Sequence, residues 1–412
     1  MEVLYACCWG MDVHAKMLVA CLMKAGRKEV RIFSTMTEDL LRLLDWLTQA
    51  GCTHVAIEST GVYWRPVFNV LEGVLEVILV NARHVKGLPG RKTDVKDCEW
   101  LADLLRHGLL KASFIPPAHI RELRELVRYR QSVVKEQTAV ANRLQKLIES
   151  ANIKLGQVAS NVLGASGQAM LRALVQGESD AQQLAELARG ALKQKRPELR
   201  RALQGHLTPS QRWVLGELLG HYQELEAALE RASEQIRKEV ADNPDPFVAE
   251  AVQLLDTIPG VGERVAETII AEIGVDMSRF PGAGHLASWA GMCPGNNESA
   301  GKRRNGKTRK GSPYLRAMLV QAAWAASHTK GTYLSAQFRR LVRRMGKKKA
   351  LVAVGHSILV MVYHVLSRRV SYEELGGDYF DRRNADAQRQ RLIRRLESLG
   401  LKVIVDELGQ AA

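Results

Sequence analysis

Between residues 299 and 349 the chain has no Asp or Glu, yet that block of 51 residues carries fifteen Lys or Arg. The whole chain holds 59 basic and 44 acidic residues, a net charge of +15, so the rest of it is neutral and one segment carries all the excess. A merely solubilising face usually mixes the two signs. A basic field this concentrated calls for a polyanion, most simply nucleic acid. Cysteine is sparse: Cys7, Cys8, Cys21, Cys52, Cys98 and Cys293 show neither paired metal-ligand spacing nor a disulfide framework. That excludes a structural zinc and implies a reducing cytoplasm. The N-terminus lacks a basic stretch followed by an apolar block, so no signal peptide is expected, and no apolar run is expected to span a bilayer. The stretch after Asp12, Val13-His14-Ala15-Lys16, lacks the glycine turn that cradles ATP phosphates, which argues against a sugar-kinase-like ATPase. At 412 residues, 46% of them hydrophobic, the chain has room for two or three domains with ordinary cores.

The first hundred residues alternate between two apolar periods. Strands are expected over 3–9 (running into Gly10-Met11-Asp12), 17–23 and 29–34, with short links that suit antiparallel pairing. Thr37 reads as the N-cap of a helix over 38–50 with Leu40, Leu41, Leu44 and Leu47 inward. A short strand, 54–57, ends at Glu58; a helix over 63–71 and a strand over 75–80 follow. The last element begins at Lys92-Thr93-Asp94-Val95-Lys96-Asp97. From there to about residue 108, Val95, Cys98, Ala102 and Leu105 form a helical stripe, widened by Leu101 and Leu104. Asp94 and Asp97 lie three apart and so head that stripe on one helix face. Ionised carboxylates point inward only when something compensates them, and a hard divalent cation would. Alone, these six residues fit a helix cap better, with Asp94 as N-cap and Asp97 in the first turn. Asp12 alone reads as a turn residue, and Glu58 alone as a surface acid at a strand end.

The order β-β-β-α-β-α-β-α is that of the ribonuclease-H-like fold of RuvC-type resolvases and many transposases. In that resemblance the first strand lies beside the fourth, so Asp12, Glu58, Asp94 and Asp97, spread over 86 positions, would converge. Carboxylates that close repel unless metal neutralises them, and two ions about 4 Å apart suit phosphodiester chemistry.

Beyond Pro116 the composition shifts. Ile120, Leu123, Val127, Val134, Ala141, Leu144 and Ile148 keep a near-heptad spacing, interrupted by Arg130 and Gln137. A second long helix is expected over roughly 210–240, with broken helices over 156–208. The pair reads either as a helical spacer or as a coiled-coil arm joining protomers. Asn243-Pro244-Asp245-Pro246 marks a boundary. Ile258-Pro259-Gly260-Val261-Gly262 then joins two helices and resembles a helix-hairpin-helix, whose turn offers backbone N–H groups to phosphate; a tight turn without ligand is the plain alternative. A glycine-rich basic loop follows, with Ser299 at its head and Lys302, Arg303, Arg304, Lys307, Arg309 and Lys310 behind. A serine hydroxyl attacks only when activated and when cations hold its target, and spacing alone does not distinguish that from a turn serine.

Five motifs now stand in one order: Gly10-Met11-Asp12-Val13-His14, Glu58-Ser59-Thr60-Gly61-Val62-Tyr63, Lys92 to Asp97, the Gly260–Gly262 turn, and Ser299-Ala300-Gly301-Lys302-Arg303. Together they resemble the DEDD transposases of the "one-ten" family of bacterial insertion sequences, over nearly the whole chain and including Gly377-Asp378-Tyr379-Phe380-Asp381. The resemblance implies an α/β plus α protein in four parts. These are a ribonuclease-H-like (RuvC-like) catalytic domain over 1–115, a helical coiled-coil domain over 116–246, a mostly helical transposase domain with helix-hairpin-helix and serine loop over 247–370, and a tail over 371–412. It assigns Asp12, Glu58, Asp94 and Asp97 to Mg²⁺, two ions per site with Mn²⁺ as alternative, and Ser299 to covalent attack on DNA. Lys92, Gly260, Gly262, Lys302, Arg303, Arg304, Lys307, Arg309 and Lys310 are the expected nucleic-acid contacts. The implied partners are double-stranded target and donor DNA, a noncoding guide RNA, and further protomers in a dimer or tetramer with shared composite sites. No membrane is implied; the setting is the bacterial cytoplasm, at the nucleoid. The family often has Gly where this chain has Ala300, and Ala where it has Cys98. The alternative function is a hydrolytic nuclease or Holliday-junction resolvase in which water attacks. A third is a non-catalytic nucleic-acid scaffold, which would not need the four acids.

Overall fold

The computed structural model describes residues 2–404 except 25, 59–60, 82–84, 86–92, 296, 306 and 384, and without the side chains of 297–299, 302–305 and 386–388. Two compact units result, Met1–Ile115 and Pro116–Ala412.

The first unit is a five-stranded sheet between helices. Its strands are β1 (Cys7–Val13), β2 (Met17–Lys24), β3 (Arg27–Ser34), β4 (His54–Glu58) and β5 (Glu76–Val80), in the spatial order β3-β2-β1-β4-β5. Tight links make β1, β2 and β3 antiparallel, whereas β4 runs parallel to β1 and to β5. Parallel neighbours need a crossover, supplied by α1 (Thr37–Gln49) and α2 (Trp64–Leu71). Strand alternation then sorts the side chains. Trp9, Met11, Val13, Val55 and Ile57 pack with Leu43, Leu47, Val67 and Leu71 on the side of α1 and α2. Cys8, Cys21, Ala56 and Val80 pack with Cys98, Leu101, Ala102 and Leu105 of α3 (Asp94–Arg106) on the other. The mixed α/β order expected for this half is present.

Three local expectations differ. β1 starts at Cys7, not at residue 3: the amides of Leu4 and Tyr5 donate instead to the Arg106 carbonyl at the end of α3, 2.9 and 3.1 Å away. Asp12 therefore lies inside the strand and does not follow it. In α1 the buried face is Leu40, Leu43, Trp46 and Leu47, while Leu41 is half exposed. Trp46 sets this rotation, since its ring meets Trp9 edge-on at 4.1 Å. Thr37 is the first helical residue and Met36 takes the cap position, without a side-chain cap.

The second unit is mostly helical. Its first half is a hairpin of two long helices, α4 (Ala118–Ser150) and α6 (Pro209–Ala241), closed by short helices including α5 (Ala165–Gln176). The long helices run antiparallel, because Gln211 at the start of α6 donates to Ser150 at the end of α4. They share a core of Val140, Leu144, Ile148, Leu215 and Leu219 with the short helices. On α4, Val133 and Val140 are buried in place of the expected Val134 and Ala141. A straight helix drifts from a seven-residue repeat by about 20° per heptad, so the inward positions slide by one. Arg130, which breaks the apolar pattern, is buried and ion-paired at 2.6 Å with buried Glu267.

That pair ties α4 to the second half. There α7 (Phe247–Asp256) and α8 (Glu263–Ile273) meet at the Gly260 turn, and α9 (Pro313–His328), α10 (Tyr333–Met345) and α11 (Lys347–Arg368) pack around them. Arg128 grips Glu272 of α8 through two contacts, 2.7 and 3.0 Å long, and Ser312, the N-cap of α9, donates to the same carboxylate. Contrary to the expectation of no membrane-length run, α11 is long and apolar enough to cross a bilayer by length and composition. Here Ala350, Val354, Ile358, Leu359, Val362 and Leu366 are buried, and α11 packs against α9 and α10 as a core helix. The segment after residue 371 is docked at its start: Glu374 accepts from the Tyr333 amide at 2.7 Å, and Phe380 stacks on the Tyr333 ring.

Candidate active site

The site is built by one close approach. Gly10 faces α3, and a Cβ there would lie 2.2 Å from the Cys98 carbonyl oxygen and 2.5 Å from the Ala102 nitrogen. Only a residue without a side chain lets β1 and α3 touch along their backbones. Two residues on, alternation puts Asp12 on the same face. α3 begins with Thr93 as N-cap, its hydroxyl accepting from the Lys96 amide, so Asp94 and Asp97 occupy the first turn and neither caps the helix. Both are exposed, at the head of the buried stripe and not within it.

Asp12, His14 and Asp94 each offer a ligand atom, and these atoms all lie within 4.8 Å of one another. The His14 Nε2 is 3.3 Å from Asp12 Oδ2 and 3.3 Å from Asp94 Oδ2. Glu58 ends β4 one position past the Met11–Ile57 register pair, so it neighbours Asp12 in the sheet. It shares the α3 face with Ala56 by alternation. Asp97 lies one turn along α3 from Asp94. Burial pushes the Asp12 carboxyl above its ordinary range; Asp94 and Asp97 add to the rise, while His14 opposes it. Two carboxylates and one imidazole in reach of a single ion form a donor set that fits a divalent cation. His14 carried no assigned role in the sequence. The signal was there, since residues two apart at a strand end share a face.

The remaining expected residues lie in the other unit or outside the description. Lys92 is outside the described residues. Ser299 closes a two-stranded hairpin of Asn297–Ser299 and Lys302–Asn305, in which it pairs with Lys302. The expected loop is thus a hairpin, with a two-residue turn at Ala300 (φ 51°) and Gly301 (φ 71°). The side chains of Ser299, Lys302, Arg303 and Arg304 lie outside the description. Lys307, Arg309 and Lys310 are exposed on the returning strand side. Gly260 has φ 86°, and a Cβ there would meet the Ala322 carbonyl oxygen at 2.4 Å and the Ala326 nitrogen at 2.6 Å on α9. Packing alone thus demands glycine at 260. Gly262 is the exposed N-cap position of α8.

A transposase family model of the DEDD, IS110 type matches residues 9–153, and one described as transposase IS116/IS110/IS902 family matches residues 252–339. The chain is 22% identical over 333 residues to a transposase for insertion sequence element IS1111A from Coxiella burnetii, covering 79% of this chain and 80% of that protein. A putative transposase of Sinorhizobium fredii is 24% identical over 334 residues, 79% of this chain and 76% of its own. A pilin gene-inverting protein of Moraxella bovis is 30% identical over 139 residues, 32% of this chain and 42% of its own.

Proposed function

Because the chain belongs to the IS110 family of transposases, we propose that it is a recombinase that cuts and rejoins DNA through Ser299, guided by a noncoding RNA. The observation that carries the reading is the convergence of Asp12 and Asp94 from two distant elements, with Glu58 beside Asp12 in the sheet. The strand order, with β1 beside β4, supports a ribonuclease-H-like domain over 1–115. The helical hairpin suits the arm over 116–246 that would join protomers into a dimer or tetramer. The remaining divisions, 247–370 and 371–412, rest on the resemblance to the family alone.

Asp12, Glu58, Asp94 and Asp97 would hold Mg²⁺, two ions per site, or Mn²⁺. Held by these residues, such a cation would supply Lewis-acid polarisation of the scissile phosphate and would make an attacking hydroxyl more nucleophilic. The Ser299 Oγ forms a bond to phosphorus, its proton leaves to solvent or a nearby base, and the P–O3′ bond breaks. The products are a phosphoserine ester and a free 3′ hydroxyl. A 3′ hydroxyl from the partner strand then attacks the ester, expelling Ser299 and resealing the backbone. Two ester bonds are exchanged for two, so no outside energy source is needed. Lys302, Arg303, Arg304, Lys307, Arg309 and Lys310 would neutralise phosphates around the serine, with Lys92, Gly260 and Gly262 as further contacts with donor DNA, target DNA and the RNA. The similarity to a gene-inverting protein supports strand exchange over simple hydrolysis.

The test is a nicked DNA substrate that traps the ester, followed by peptide mass spectrometry. The reading expects a nucleotide adduct on Ser299, and loss of adduct and strand transfer in Ser299→Ala. Strand transfer by Ser299→Ala without any adduct overturns it. Plain cleavage that survives Ser299→Ala but not Asp12→Asn would mark a hydrolytic nuclease. Sequencing RNA that co-purifies with the protein tests the guide.

A further inference from the structure

We infer that His14 is a nitrogen ligand of the cation held by Asp12 and Asp94, and that it biases the site towards Mn²⁺ over Mg²⁺; this rests on the metal site of the proposed function. The Nε2 atom lies equally far, 3.3 Å, from one oxygen of each aspartate. It is shielded from solvent, yet makes no hydrogen bond to either carboxylate. The ring directs Nε2 between the two oxygens, at ion-pair distance from each, where one ion would reach all three donors.

The backbone fixes that aim. The His14 amide donates to the Met17 carbonyl at 2.9 Å, closing the β1–β2 turn, so the residue is anchored just beyond Val13. Asp94 approaches from α3, whose distance from β1 is set by Gly10. The histidine thus bridges the two elements that build the site. Mg²⁺ prefers oxygen donors and dehydrates reluctantly, whereas Mn²⁺, a softer transition ion that sheds water more readily, gains more from one imidazole nitrogen. Replacing one of several oxygen donors by a nitrogen shifts selectivity in that direction.

Pulsed electron paramagnetic resonance on the Mn²⁺-loaded full chain reads the ligand directly. The wild type is expected to show ¹⁴N modulation from a bound imidazole, replaced by the ¹⁵N pattern when histidine is labelled. His14→Gln is expected to lose the modulation and to bind Mn²⁺ about tenfold more weakly, with Mg²⁺ affinity changed far less. His14→Asp, an all-oxygen set, is expected to keep metal binding but lose the Mn²⁺ preference. Absence of nitrogen modulation in a wild type whose Mn²⁺ binding is abolished by Asp94→Asn overturns the histidine ligand and leaves the metal site standing. Mn²⁺ binding unaffected by Asp12→Asn and Asp94→Asn would instead overturn the site itself. His14 is half exposed, and urea unfolding of each variant separates lost ligation from lost fold.

Discussion

Replacing Gly10 by Ala should loosen the proposed metal site without touching any of its candidate ligands. The new Cβ would lie 2.2 Å from the Cys98 carbonyl oxygen and 2.5 Å from the Ala102 nitrogen, against an ordinary contact of at least 3.4 Å. Both opposing atoms are backbone, so no side chain can swing aside. Helix α3 must move by about 1 Å or the strand must bow, and overpacking of this kind costs about 3 kcal/mol, at the upper end of the usual range. That corresponds to roughly a hundredfold faster opening of the β1–α3 contact. Hydrogen exchange followed by mass spectrometry on peptides covering 94–106 measures it locally, which matters because two compact units need not unfold together. Mn²⁺ affinity should fall in parallel, since Asp12 and Asp94 ride on the separated elements. Gly220 is the control: it lies exposed within α6, nothing lies within 4 Å of its ideal Cβ, and Gly220→Ala should stabilise by about 0.5–1 kcal/mol. Exchange in α3 that stays within a factor of about three of wild type in Gly10→Ala would refute the close-contact reasoning.

The buried Arg130–Glu267 pair should be far more costly to break than to replace: Arg130→Ala is expected to destabilise the helical unit by about 3–5 kcal/mol, while Arg130→Met with Glu267→Leu recovers most of it, both read by urea titration. A loss under about 1 kcal/mol for the single change would count against a desolvated pair. Burial lowers the His356 pKa below 6.5, so the folded chain binds fewer protons than the unfolded one from there down to the depressed value. Thermal stability should therefore drop as pH falls through that window, and His356→Gln should flatten the drop; an unchanged slope in the variant would exclude His356 as its source. Ala300→Gly should relax a left-handed alanine worth about 1 kcal/mol and slow exchange across the 297–305 hairpin, and faster exchange there would contradict the turn assignment.

Much of the N-terminal sheet was legible because its apolar alternation is clean. The strand at Met17–Lys24 and the helix at Asp94–Arg106 fall within a residue or two of expectation. The errors over which helix positions turn inward share one cause. Which face of a helix turns inward depends on the partner it meets, and Trp9 is 37 positions from Trp46. Likewise Arg130 looked like a break in a heptad because its partner Glu267 is 137 positions away. A charge that interrupts an apolar stripe is ambiguous until its counter-charge is known.

The glycines carry a sharper lesson about site and scaffold. Gly10 and Gly260 both sit inside motifs that the sequence links to chemistry, yet the structure gives each a steric reason of the same kind. One lets a strand touch a helix, the other lets a turn touch α9, and in both the opposing atoms are backbone oxygen and nitrogen under 3 Å from an ideal Cβ. For Gly10 the steric role would also serve the proposed metal site, because the helix it admits carries Asp94 and Asp97. For Gly260 they separate: a turn held by Ala322 and Ala326 would need glycine with no phosphate near it. A substitution at 260 would therefore damage packing whatever it did to nucleic-acid affinity, so it cannot report on binding. Gly262, exposed and unopposed by backbone at the head of α8, is the position where a loss of affinity without a loss of stability would mean phosphate contact.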